Sequence, residues 1–214
     1  MLSLYGYWRS SAAYRVRIAL NLKELEHQLI SVHLVKNGGE QHSPDYISLN
    51  PNELVPTLID GDFKLNQSMA ILDYLDDKYP QSPLYPKGRE QKAEVQALAL
   101  DIACDLHPLN NLRVLNYLSE ELSAEAEQKS AWYKHWIEVG FRSLEKRLAE
   151  TAGKYCYGDQ ITVADLCLIP QVYNANRFNV DLSPFPHIQQ INDNCLQLDA
   201  FIKAIPENQP DATV

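Results

Sequence analysis

LSLYGYWRSSAAYRVRIAL (residues 2–20) changes its hydrophobic period halfway along, and the change decides the fold. Leu2 to Gly6 is a short β-prone run. After Ser10 and Ser11, the apolar positions Ala12, Val16, Ala19 and Leu20 recur at helical spacing, and serine is a preferred helix cap. Residues 29–34 then alternate Leu29, Ser31 and His33 against Ile30, Val32 and Leu34, which predicts a second strand. Strand, helix and strand within roughly 35 residues make a βαβ unit.

Working outward, a polar stretch from Lys36 to Gln41 reads as loop, and Asn50-Pro51 punctuates it. Val55-Pro56-Thr57-Leu58-Ile59 predicts a strand, and Asp60-Gly61-Asp62 turns it into Phe63-Lys64-Leu65. Asn66-Gln67-Ser68 precedes a helix with Ile71, Leu72, Leu75 and Tyr79 on one face. Pro80, Pro83 and Pro86 end it and place a linker at 81–88. Beyond the linker the periodicity is helical over 89–118, 125–151, 162–177 and 187–204. Thr162 and Asp165 form a capping box, with Ile161 and Leu166 in the staple positions. The fold class expected is an α/β N-terminal domain over 1–80 and an all-α C-terminal domain over 89–214.

The 214 residues suit one large domain or two small ones, with 45% apolar and 22% charged residues. A formal charge of -9 opposes nucleic acid and anionic membranes as partners. Apolar runs are too short for a membrane span, and Arg9 interrupts any signal-peptide core, which points to the cytoplasm. Cys104, Cys156, Cys167 and Cys195 show no CxxC pair and no metal-ligand spacing, so they read as reduced core thiols and no metal site is expected.

Chemistry concentrates where strands meet helices. Unpaired amides at the start of a helix favour an anion, and the Ser10 and Ser11 hydroxyls sit there; helix capping alone is the simpler reading. No G-x-S-x-G elbow surrounds them, so holding a thiolate supplied by another molecule is easier chemistry than nucleophilic attack by serine. Lowering a thiol pKa by ~2 units needs ~2.7 kcal/mol. A charge-assisted hydrogen bond of roughly 1.5–3 kcal/mol beside a helix N-terminus supplies that. Val55-Pro56, between a loop and a hairpin, suits a cis bond that would leave Val55 free to pair with an extended peptide, although most X-Pro bonds are trans. Gln67-Ser68 opens the next helix, with Ser68 as cap and its amides suited to a carboxylate.

WRSSAAYRVRIAL, LNPNELVPTL and NQSMAILDYL, in that order, resemble the glutathione transferase superfamily and its zeta class. The similarity continues through HPLNNLRVL (107–115), YCYGDQITVADLCLIPQVYNANRFNVDL (155–182) and the tail QPDAT, covering essentially the whole chain. It implies the glutathione transferase fold, a thioredoxin-like N-terminal domain plus an all-α C-terminal domain, with a homodimer, and glutathione as cofactor with a small dicarboxylate as substrate. Ser10 becomes the catalytic hydroxyl facing the glutathione sulfur, with Ser11 beside it. Gln41 and Val55 hold the tripeptide, and Gln67 and Ser68 its γ-glutamyl end. His107, Asn111 and Arg113 line the glutathione site from the second domain. Arg9 and Arg177 bind the substrate carboxylates, for which a planar guanidinium offers two parallel hydrogen bonds; a surface ion pair is the plainer reading of Arg177. Arg15 and Arg17 read as structural ion-pair or interface residues.

The implied activity is glutathione-dependent cis–trans isomerisation of maleylacetoacetate in tyrosine and phenylalanine breakdown, by reversible addition of the thiol to the double bond. Maleylpyruvate is the alternative substrate. A general transferase acting on small electrophiles or α-haloacids, and a non-enzymatic interaction module, are further readings. Where the family has a serine-serine-cysteine run this chain has Ser10-Ser11-Ala12, which leaves the sulfur to be supplied by glutathione.

Overall fold

The computed structural model describes residues 1–213, and these divide into two units. One comprises residues 1–84 with the described part of 196–214; the other is residues 85–195. The first has a four-stranded mixed sheet of order β2-β1-β3-β4, built from β1 (Leu2–Gly6), β2 (His27–Ser31), β3 (Thr57–Asp60) and β4 (Phe63–Asn66). β1 runs parallel to β2 and antiparallel to β3, and β3 and β4 form the hairpin about Gly61-Asp62.

The second strand lies at 27–31 rather than 29–34. β1 is five residues long and pairs Leu2 with His27 and Gly6 with Ser31, so the ladder has no partner to offer beyond Val32. α1 (Ser11–Leu22) packs on α3 (Ser68–Lys78) and buries Ala13, Val16, Ile18, Ala19 and Leu20. A Cβ at Gly6 would stand 3.2 Å from the Ala13 Cβ, so glycine lets the β1 backbone meet the helix. The short α2 (Pro44–Leu49), just beyond the polar stretch, buries Tyr46, whose hydroxyl donates to the Leu54 carbonyl at 2.7 Å.

The second unit holds α4 (Arg89–Leu100), α5 (Leu112–Glu120), α6 (Ala126–Thr151), α7 (Val163–Arg177) and α8 (Pro186–Cys195). The helix expected over 89–118 is divided. A π-helical turn, Asp101–Leu106, and a 3₁₀ turn, His107–Asn110, intervene, and Asn111 starts α5 as its cap. Pro108 supplies no N–H to an α-helical ladder, and the Asn111 side chain competes for the next amides. The Thr162/Asp165 box forms as expected: the Asp165 carboxylate accepts from the Thr162 amide and from the Cys156 amide, both at 2.8 Å.

The expected boundary at the C-terminus requires correction, because residues 196–213 belong to the sheet-containing unit. α9 (Asp199–Ala204) lies against α1: Asn21 donates to the Ala200 carbonyl at 2.9 Å, and Arg17 to the Ala204 carbonyl at 3.0 and 3.2 Å. Farther along, the Asp211 carboxylate accepts from the Trp8 amide and the Ser31 hydroxyl. The predicted helix over 187–204 accordingly breaks between α8 and α9. Among the cysteines, Cys156, Cys167 and Cys195 are buried, but Cys104 is exposed and is not a core thiol. No helix of the described residues is long and apolar enough to cross a membrane.

Candidate functional site

The sheet register carries the candidate residues of the first unit to one end. Tyr5 pairs with Thr57, and Thr57 with Asn66. The segment leaving β1 toward Ser10, the one arriving at β3 through Val55, and the one leaving β4 through Gln67 therefore emerge together. β2 is parallel to β1, so the loop leading to Gln41 leaves from the same end.

Ser10 caps α1, its Oγ accepting from the Ala13 amide at 3.2 Å. A hydroxyl so used keeps its proton to donate outward. Ser11 is the first helical residue and is buried. Arg9 is half-buried; its guanidinium lies 4.5 Å above the Trp8 ring and donates to the Tyr7 hydroxyl at 3.2 Å.

Gln41 is buried, with Nε2 donating to the Leu34 carbonyl at 3.3 Å and Oε1 lacking a protein partner. Gly39, at φ 102°, makes room for it: a Cβ there would come within 2.5 Å of the Gln41 amide. The adjacent His42 pairs with Glu53, which ties the Gln41 loop to the approach to Val55. The Val55-Pro56 bond is cis.

Gln67, rather than Ser68, occupies the cap position of α3. Its φ of 69° is uncommon for a residue with a side chain and costs on the order of 1–3 kcal/mol, strain that gathers at ligand clamps. Ser68 is the first helical residue, buried, and its Oγ accepts from Arg15 Nη1 at 3.1 Å. The expectation that Ser68 caps α3 is thus corrected. Arg15 and Arg17, read as ion-pair or interface residues, are both interior. Arg17 donates to the carbonyls of Tyr7, Trp8 and Ala204, which steadies the segment before Ser10.

Within the second unit, His107 opens the 3₁₀ turn, and Asn111 caps α5 by accepting from the Arg113 amide at 3.1 Å. The Arg113 side chain is exposed. Trp132 Nε1 donates to the Leu109 carbonyl and Asn110 to the Tyr133 carbonyl, fastening this turn to α6. Leu106 approaches α6 where a Cβ at Gly140 would stand only 2.9 Å away. Arg177, at the end of α7, is exposed, with its guanidinium 5.0 Å from the Phe178 ring. Phe178 stacks on Tyr133 at 3.6 Å, so Tyr133 links Arg177 to the His107–Asn111 turn. Burial pushes the Tyr133 hydroxyl up to about 12, and Arg177 opposes that shift. Asn110 and Tyr133 were not singled out from sequence, and Arg15 was read there only as structural; each carries a stronger signal once its burial is known.

Family models for the glutathione S-transferase N-terminal domain and C-terminal domain match residues 1–77 and 109–208. A probable maleylacetoacetate isomerase of Vibrio cholerae is 56% identical over 211 residues, spanning 99% of this chain and 98% of that protein. A holo structure of maleyl pyruvate isomerase, described as a bacterial glutathione-S-transferase in the zeta class, superposes with a TM-score of 0.95 at 42% identity, covering 99% of this chain and 100% of the other. Maleylacetoacetate isomerase from Methylobacterium extorquens AM1, solved with bound malonate and GSH, gives 0.94 at 40% identity, covering 99% and 100%. The two domain models, the near-complete coverage and the mixed sheet with its helical partner unit agree, and the chain belongs to the glutathione S-transferase family, in its zeta class.

Proposed function

We propose that this protein is a glutathione-dependent cis–trans isomerase whose substrate is maleylacetoacetate, acting in tyrosine and phenylalanine breakdown as a cytoplasmic homodimer. The observation that carries the reading is the convergence of Ser10, Gln41, Val55 and Gln67/Ser68 at one end of the sheet. A hydroxyl with a free proton, a buried amide oxygen and a helix N-terminus match a peptide that carries a thiol and carboxylates. The 56% identity to the Vibrio cholerae protein supports the substrate.

Bound glutathione supplies the thiol that adds reversibly to the alkene and so permits rotation. Ser10 Oγ donates its proton toward the sulfur, favouring the anionic form, while the amides of α1 add the field of a helix start. Val55 offers its backbone to the tripeptide, Gln41 holds its chain, and Gln67 and Ser68 take the γ-glutamyl end. In the helical unit, the family resemblance assigns His107, Asn111 and Arg113 to glutathione as well. Arg9 and Arg177 are each suited to orient a substrate carboxylate, to which a guanidinium offers two parallel N–H donors. Because the thiol is released unchanged, the reaction consumes none.

Maleylpyruvate is the second reading, favoured by the 0.95 superposition on maleyl pyruvate isomerase. A product-resolved assay with both acids, with and without glutathione, separates the two. Turnover of maleylacetoacetate that depends on glutathione and leaves free thiol constant supports the proposal; equal turnover without glutathione refutes it. Net thiol loss with stable thioether products would make the protein a conjugating transferase instead.

A further inference from the structure

Arg15 lies in the middle of α1 with 1% of its surface exposed, among the largest fully buried side chains of the chain. Its Nη1 donates to Ser68 Oγ at 3.1 Å. Nε and Nη2 have no protein partner, and among the described residues no carboxylate stands within ion-pairing distance of the guanidinium. Arg17, two residues on, gives its donors to three backbone carbonyls and ties segments together. Arg15 ties little. A cation removed from water without a counter-charge destabilises a fold, and an apolar side chain of similar volume usually serves stability as well or better. Folding alone therefore gives no reason for a charge at this position.

The bond to Ser68 shows where the charge acts. A hydroxyl has two acceptor lone pairs and one proton. With Arg15 Nη1 on the acceptor side, the Ser68 proton is turned away from the guanidinium and left to be donated. Ser68 is also the first residue of the 11-residue α3, whose leading amides lack helical acceptors. Guanidinium, polarised hydroxyl and helix N-terminus all favour negative charge at the same spot. We propose that Arg15 is a positioning residue for the carboxylate of the γ-glutamyl residue: acting through Ser68 Oγ, it makes the start of α3 select a carboxylate over a neutral amide. The inference rests on the reading that Ser68 receives that end of glutathione.

The test compares wild type with Arg15→Met, Arg15→Gln and Arg15→Lys by calorimetric titration. The probes are glutathione and its analogue with the γ-glutamyl α-carboxylate converted to the amide. Thermal unfolding of the unliganded proteins is followed in parallel. Arg15→Met and Arg15→Gln are expected to weaken glutathione binding on the order of tenfold while leaving the amide nearly unaffected. The preference for acid over amide then falls by the same factor, and Arg15→Lys recovers part of it. The unliganded Met variant is expected to unfold at the wild-type temperature or above it. Wild type that does not prefer the acid would refute the placement of the γ-glutamyl end at Ser68. Wild type that prefers it, with Met and Gln variants that prefer it equally, overturns the role of Arg15 alone. Failure of both variants to fold also overturns it, because the charge would then serve the fold.

Discussion

Replacing Ser10 by alanine removes two things at once, and the structure lets them be weighed apart. The first is a helix cap: Oγ accepts from the Ala13 amide at 3.2 Å, and losing such a cap costs about 1 kcal/mol. The second is the hydroxyl proton, which the cap leaves available for an anion. A hydrogen bond to a charged partner contributes about 1.5–3 kcal/mol, a factor of about 10 to 160 in the thiol–thiolate equilibrium. Ser10→Ala should therefore raise the pKa of bound glutathione by about 1–2 units, read from thiolate absorbance against pH. Its kcat at saturating glutathione and neutral pH should fall by a similar factor, with a smaller loss for Ser11→Ala. Ser10→Gly separates the contributions, because glycine is nearly as good a cap and has no hydroxyl. It should keep the stability of the wild type and lose the rate. A Ser10→Gly enzyme with normal kcat and an unshifted thiol would refute the assignment and leave Ser10 as a cap.

Three further outcomes test the helical unit. Arg177→Ala should mainly raise KM for the dicarboxylate and leave glutathione affinity nearly unchanged, since the exposed guanidinium is proposed to orient substrate; a wild-type KM makes it a surface residue. Asp165→Ala strands the buried amides of Thr162 and Cys156, which should lower unfolding stability by about 2–5 kcal/mol in a urea titration. Burial pushes the Asp165 carboxyl above its ordinary value, so the folded chain binds that proton more tightly than the unfolded chain. The stabilisation from that preference is complete below the unfolded pKa and fades as pH rises through the folded one. The stability advantage of wild type over Asp165→Asn should thus shrink upward from about pH 4; an advantage that grows with pH contradicts this.

The candidate residues of the sheet unit were legible because they sit at punctuation. Ser10, Val55 and Gln67/Ser68 each mark a junction between a strand and another element, where period and turn chemistry change within two or three residues. The Thr162/Asp165 box was readable for the same reason, its i, i+3 spacing being the geometry itself. Helical periodicity was less informative past residue 89. It reports which face of a segment is apolar, and it passes unaltered through the π-helical and 3₁₀ turns that break 89–118. The 187–204 stretch shows the same limit, since α8 and α9 bury similar stripes in different units.

By itself the sequence determined the mixed-sheet unit, the helical unit that follows it and the junctions from which a glutathione site would be built, because those depend on local period, caps and turns. Only the tertiary structure decided that the C-terminal segment joins the sheet unit, that Gln67 caps α3 in a strained conformation, and that Arg15 lies buried under Ser68. The first and the last of these are contacts between residues about 50 to 200 positions apart. An arginine on a helix looks the same in sequence whether it reaches water or the interior, and burial is what gives its charge a consequence.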